Sequence, residues 1–156
     1  MEKRLEELIA VVKVTRVEGA AQKMVTDVVC DSREVKPGAM FVAVRGVAVD
    51  AHKFIPDVVK AGAGVVVCEE MPSQLDENVT YVQVPDSTIA LAHLASQWFD
   101  NPSAKLHLVG VTGTNGKTTT ATLLYEMARL MGYKAGLLST VKNIVDRTEY
   151  PAKQTT

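Results

Sequence analysis

Ten residues, VTGTNGKTTT from Val111 to Thr120, follow the apolar run Leu106-His107-Leu108-Val109-Gly110 and lead into a helical pattern. An apolar strand, a glycine-rich loop and a helix start in that order leave few folds open, because parallel strands need a crossover and a helix is its usual form. The same order gathers backbone N–H groups and the positive end of a helix dipole at one point, which suits a polyanion. Gly113 and Gly116 let the chain turn and approach phosphate oxygens without a Cβ in the way. Lys117 is expected to reach the β- and γ-phosphates, and Thr118 to offer its hydroxyl to magnesium. The expected binding residues for ATP or GTP are therefore Gly113, Thr114, Asn115, Gly116, Lys117, Thr118 and Thr119, with Lys117 catalytic and Thr118 the magnesium ligand. The strict G-x-x-x-x-G-K-[ST] pattern is not met, since position 111 is Val111 and Gly110 lies one residue too early. An Asn-Gly turn that merely feeds a helix is the competing reading; the strand before and the helix after favour the phosphate loop. The loop alone does not discriminate ATP from GTP.

Upstream, Leu5, Leu8, Ile9 and Val12 recur at helical spacing. VTDVVCDSR and AMFVAVRG then read as a strand pair split by the Pro37-Gly38 turn, HKFIPDVVKAGA as a helix, and GVVVCEE and YVQVP as two more strands, giving the order β-β-α-β-β. A helix starts at Asp86 or Ser87 with Leu91, Leu94, Ala95 and Trp98 on one face, and stops at Asp100-Asn101-Pro102-Ser103. That polar break suggests a domain boundary, with one domain over 1–102 and a second over 103–156. In the second, KLHLVGVT reads as a buried strand and the residues after Lys117 as a helix with Leu124, Met127, Ala128 and Met131 on one stripe, closed at Gly132 and followed by a strand at YKAGLLST. The fold class is α/β: a small N-terminal α/β domain, then the first strand–loop–helix–strand portion of a parallel-sheet nucleotide-binding domain.

The chain has 156 residues, 47% hydrophobic and 22% charged, with a net charge of −1. That balance fits a globular protein and gives no basic footprint for nucleic acid. The opening MEKRLEELIAVVKV supports neither a secretory leader nor a membrane span, so the expected location is the cytoplasm. Cys30 and Cys68 lie far apart in apolar runs and read as reduced core thiols. His52, His93 and His107 have no metal-site spacing and read as packing or surface residues, Trp98 and Phe99 as packing residues, and Glu69-Glu70 as a solvated loop.

The segment L-V-G followed by V-T-G-T-N-G-K-T-T-T resembles the nucleotide loop of the Mur ligases, ATP-dependent enzymes that add amino acids to the UDP-N-acetylmuramoyl peptide of bacterial cell walls. Asp31-Ser32-Arg33, Pro37-Gly38, Phe41, Gly46 and Asp50-Ala51-His52 are similar to the D-[ST]-R, P-G-x-x-F-x-A-x-x-G and D-[GA]-H patterns in the UDP-binding domain of the two late-acting members. One of these adds a diamino acid and the other D-Ala-D-Ala. G-T-N-G-K-T-T-T and the terminal YPAKQTT lean toward the first, while Ala51 in place of the commoner glycine pulls weakly toward the second.

The resemblance implies that ATP and Mg2+ are used to activate the carboxylate of UDP-N-acetylmuramoyl-L-alanyl-D-glutamate as an acyl phosphate. The amine of meso-diaminopimelate or L-lysine then takes the acyl group. It also implies UDP-sugar contacts at Cys30, Ser32, the backbone of Val47-Ala48-Val49, and Gln154, Thr155 and Thr156. Serine and threonine hydroxyls suit uridine or diphosphate oxygens; composition alone favours a strand-ending turn at Asp31-Ser32, and the family position reverses that preference. Arg33 is read two ways, as holding the loop or neutralising phosphate. The family pattern further implies that the rest of the central domain and a third domain would follow residue 156, so this stretch alone is expected to be inactive. A nucleotide- or UDP-sugar-binding module without catalysis is the alternative from a different class.

Overall fold

A computed structural model describes residues 1–46 and 49–152. The chain divides into two compact units, 1–106 and 107–156.

The first unit opens with β1 (Lys3–Arg4), α1 (Leu5–Ile9), β2 (Arg16–Glu18), β3 (Met24–Val25), β4 (Val28–Val29) and β5 (Met40–Val42). It continues through α2 (Ile55–Lys60), β6 (Val65–Cys68), β7 (Thr80–Gln83) and α3 (Ser87–Trp98). Five strands form one sheet in the order β2-β7-β6-β5-β4, parallel from β4 to β7 and antiparallel only at the β2 edge. The expected β-β-α-β-β core is therefore present as β4, β5, α2, β6 and β7. The run from Val25 is split, however: Val25 pairs with Lys3 in a separate two-stranded ribbon, and the main sheet is joined only at Val28.

Valine-rich strands pack here because both faces of a parallel sheet are covered, so neighbouring residues on one strand enter different cores. Met40, Val42, Val65, Val67 and Val82 meet Leu5 and Leu8 of α1 and Leu94 and Trp98 of α3 on one face. Phe41, Val66, Cys68 and Tyr81 meet Ile55 and Val58 of α2 on the other. At its start α3 is capped by Asp86, whose carboxylate accepts from the Ile89 N–H at 2.8 Å. The helix ends where Asp100 and Asn101 take positive φ, 58° and 51°, a conformation their short polar side chains tolerate. Trp98 is buried, as expected, whereas Phe99 is exposed.

The second unit contains α4 (Lys117–Leu130), β8 (Leu137–Leu138), β9 (Lys142–Val145) and β10 (Thr148–Pro151). Its core holds Tyr125, Leu137 and Ile144, with Ala121 and Ala135 packed against them. The observed strands form an antiparallel meander, β10-β9-β8, in place of the expected parallel pair. Leu106–Thr112 carries no strand assignment, and Leu108 and Val109 are 73% and 75% exposed. An extended segment becomes a strand only through a ladder partner, and β8, the parallel neighbour expected for it, is paired through Leu137↔Ile144 with β9 alone. The helix stripe is likewise shifted: Tyr125 is buried, while Met127 and Met131 are exposed.

Candidate functional site

Two groups of residues, one in each unit, carry the chemistry the sequence points to. In the second unit the loop from Thr112 to Gly116 is exposed and runs directly into α4. Gly113 and Gly116 have φ of 150° and 77°, backbone conformations that side chains rarely adopt, and a Cβ at Gly116 would meet nothing within 4 Å. The requirement for glycine is thus conformational. The first backbone bond of α4 in the helical pattern is Thr120 N–H to the Gly116 carbonyl at 2.9 Å. The N–H groups of Lys117, Thr118 and Thr119 therefore fall in the helix's first turn, where no intrahelical acceptor exists, and they stand at the positive end of a 14-residue helix.

Lys117 folds back over the loop, its Nζ donating to the Gly113 carbonyl at 2.6 Å and to the Thr114 carbonyl at 3.3 Å. An ammonium held on the loop that leads into these N–H donors adds full positive charge to their partial charges. All seven expected ATP-binding residues, Gly113 through Thr119, lie on this one turn of chain. A hard cation prefers oxygen ligands, and Thr118 supplies a hydroxyl at the helix start that fits this preference. Among the described residues no group of three or more His, Cys, Asp or Glu could hold a metal ion.

In the first unit the parallel strands deliver their following residues to one edge, outside the strand carboxyl ends, where open α/β sheets bind ligands. Cys30, Asp31 and Ser32 leave β4 at that edge. Cys30 is exposed, which corrects its reading as a core thiol, while Ser32 is half-buried in a short 3₁₀ turn, Ser32–Glu34. Asp31 caps that turn, accepting from the Arg33 N–H at 3.0 Å, and its carboxylate grips the Arg33 guanidinium at 2.6 Å. Side-chain and then backbone hydrogen bonds from Arg33 lower the Asp31 carboxyl to about 2. Both arms of Arg33 reach Asp31 from Nε and Nη2, so in this geometry it holds the loop. Gln154, Thr155 and Thr156 lie outside the described residues, as do Val47 and Ala48.

The thiols separate sharply. Burial pushes Cys68 up to about 11, away from the thiolate that reacts. Alkylation of the folded protein is expected to label Cys30, with Cys68 labelled only after denaturation; peptide mass spectrometry reads both sites.

A second cluster at the same edge was not legible beforehand. Arg45 follows β5 and faces Asp50 at 3.2 Å, Glu69 at 3.7 Å and Glu70 at 2.9 Å. Glu69, read from sequence as solvated with Glu70, instead accepts from the Ser87 N–H and hydroxyl at 2.9 and 2.7 Å. Those bonds lower its carboxyl, and hydrogen bonds from His52 lower that of Asp50. His52 is 13% exposed at its side chain and engaged at both ring nitrogens. Only Asp50 two residues before His52, a capping pattern, could have hinted at it.

Comparison with known proteins gives a consistent result. Residues 24–99 match the family model described as Mur ligase family, catalytic domain, and residues 111–156 match Mur ligase middle domain. The chain is 51% identical over 154 residues to the UDP-N-acetylmuramoyl-L-alanyl-D-glutamate--2,6-diaminopimelate ligase of Cytophaga hutchinsonii, covering 98% of this chain and 32% of that protein. It is 50% identical over 152 residues to the ligase of the same name from Parabacteroides distasonis, covering 97% and 31%. Among solved structures, UDP-N-acetylmuramoylalanyl-D-glutamyl-2,6-diaminopimelate--D-alanyl-D-alanyl ligase from Acinetobacter baumannii superposes with a TM-score of 0.63 at 25% identity, over 84% of this chain and 29% of that one. The chain thus spans about a third of the length of the curated relatives it matches. Both family models fall in chain order on the two units, and with about half the residues shared across nearly the whole chain, the chain belongs to the Mur ligase family.

Proposed function

We propose that this chain is part of an ATP-dependent ligase that joins 2,6-diaminopimelate to UDP-N-acetylmuramoyl-L-alanyl-D-glutamate in peptidoglycan synthesis, in the cytoplasm. In this reading, residues 1–102 bind the UDP-sugar through Cys30, Ser32 and neighbouring loops, and 103–156 open the ATP-binding domain. The observation that carries it is the exposed turn Gly113–Thr119, with Lys117 lodged over it. The names of the Cytophaga and Parabacteroides ligases, at 51% and 50% identity, support this choice of substrates.

The chemistry this turn serves is phosphoryl transfer. The substrate carboxylate attacks the γ-phosphorus of ATP, its oxygen forms the new P–O bond, and ADP leaves. The amine of the diamino acid then attacks the acyl carbon, releasing inorganic phosphate and, as its nitrogen loses a proton, closing the amide. Charge on the transferring phosphoryl group is what a catalyst must hold. The first-turn N–H groups and Lys117 supply that holding from this chain. Mg2+, when bound with ATP, would add charge neutralisation, with the Thr118 hydroxyl as its ligand here.

Likeness to the D-alanyl-D-alanyl ligase structure favours a second reading, addition of D-Ala-D-Ala to the UDP-tripeptide. Twofold higher identity to the diaminopimelate ligases outweighs it. Phosphate release by the full-length protein is measured with ATP and magnesium, offering UDP-dipeptide with diaminopimelate or L-lysine, and UDP-tripeptide with D-Ala-D-Ala. Release with diaminopimelate and the dipeptide is expected. Release only with L-lysine, or only with D-Ala-D-Ala and the tripeptide, overturns the substrate assignment; no amino-acid-dependent release overturns the ligase reading.

A further inference from the structure

The cluster after β5 poses a question of role. Its side chains converge from three strand ends: Arg45 after β5, Glu69 and Glu70 after β6, and Ser87 after β7. One guanidinium faces three carboxylates, and the lowered Asp50 and Glu69 are ionised near neutrality. Three carboxylates against one guanidinium leave this cluster with a formal excess of negative charge. That sign disfavours contact with a diphosphate.

Its geometry fits another role. After β5, the residues on either side of 47–48 are tied together at a neck by the Arg45↔Asp50 bridge, by Ala51 N–H to the Val44 carbonyl at 3.0 Å and by Gly46 N–H to the Val49 carbonyl at 3.1 Å. His52 anchors this neck to the sheet. The Glu69 N–H donates to His52 Nε2 at 2.9 Å, so Nε2 carries no proton; Nδ1 carries it and donates to Asp50 at 2.6 Å. The same Asp50 oxygen accepts the His52 N–H at 3.0 Å, and the other oxygen meets Arg45. One imidazole thus couples this neck to the first residue after β6. β5 lies beside β4 in the sheet, so the loop it feeds shares the carboxyl edge with Cys30 and Ser32.

We propose that His52 is a positioning residue for the UDP-sugar. Through Asp50 and the Glu69 backbone it fixes the neck of the loop after β5 at the carboxyl edge of the sheet, without touching the ligand. This rests on the reading that this edge binds the UDP-sugar.

The test uses the full-length protein and UDP-N-acetylmuramoyl-L-alanyl-D-glutamate, with Kd from calorimetry and steady-state KM for both this substrate and ATP. His52→Ala removes a donor and an acceptor, so Kd and KM for the UDP-dipeptide rise by about tenfold, while KM for ATP and kcat stay within about twofold. Asp50→Asn keeps one carbonyl oxygen for His52 and gives a smaller rise. An unchanged UDP-dipeptide Kd in folded His52→Ala overturns the proposal, and so does an equal rise in KM for ATP. Should His52→Ala fail to fold, Asp50→Asn decides alone: a rise confined to the UDP-dipeptide supports the proposal and no rise overturns it. Wild-type protein that turns over ATP with no measurable UDP-dipeptide affinity overturns instead the reading of the edge as the UDP-sugar site.

Discussion

Lys117→Ala lowers kcat/KM for ATP by about 10²–10³-fold in the full-length protein, the range seen when one preorganised charge stabiliser is lost from a transition state. The side chain is exposed and makes its bonds only to the Gly113 and Thr114 carbonyls, so its removal opens no cavity and strips no core contact. What is lost is an ammonium that can exchange those carbonyls for phosphate oxygens, whose full charges attract it more strongly. Thermal stability and UDP-dipeptide Kd are expected to stay at the wild-type level. Thr118→Val tests the neighbouring hydroxyl: it leaves Lys117 and the N–H groups in place and weakens magnesium dependence alone. Wild-type ATP kinetics in Lys117→Ala would remove the loop from the reaction. Loss of UDP-dipeptide binding as well would show that the variant had damaged the fold.

Much of this was legible because it is written in local patterns. Alternation does not mark the β5 and β6 strands, yet runs such as VVVC read correctly as strands; their parallel pairing and two covered faces came with the structure. The Asp86 cap, the stop at Asp100-Asn101 and the Gly113–Thr119 turn are each encoded by residue types that act on their own neighbours. Failures came where the answer depends on a partner distant in sequence. Leu106–Thr112 has the composition of a buried strand and lies exposed, since composition cannot supply a ladder. Tyr125 is buried in place of Met127 because Leu137 and Ile144, beyond the helix, choose its packed face. Glu69 sits 18 residues from Ser87 and 17 from His52, and no spacing rule connects them.

Phe41→Ala is expected to destabilise the first unit by about 3–5 kcal/mol, the usual range for deleting a buried aromatic ring. Phe41 is fully buried at the middle of β5, which lies between β4 and β6, and its neighbours in register, Val29 and Val66, are buried too. A cavity there is walled by strands whose ladders resist collapse, so the structure recovers little of the lost contact. Because small domains are held by about 5–15 kcal/mol in total, the variant leaves this unit near its unfolding threshold. Val17→Ala is the control: on edge strand β2 and 36% exposed, it should change stability by about 0.5 kcal/mol or less. Urea unfolding followed by the single Trp98, buried at the end of α3, reads both variants through a shifted midpoint at constant slope. A destabilised first unit binds UDP-dipeptide less well only by the fraction unfolded, so its apparent affinity recovers on cooling toward maximal stability. The weakening expected for His52→Ala persists under the same conditions, and that contrast separates loss of the sheet from loss of the loop it carries. A Phe41→Ala midpoint close to that of Val17→Ala would mean that the face of the sheet carrying Phe41, Val66 and Tyr81 is not closed by α2 as described.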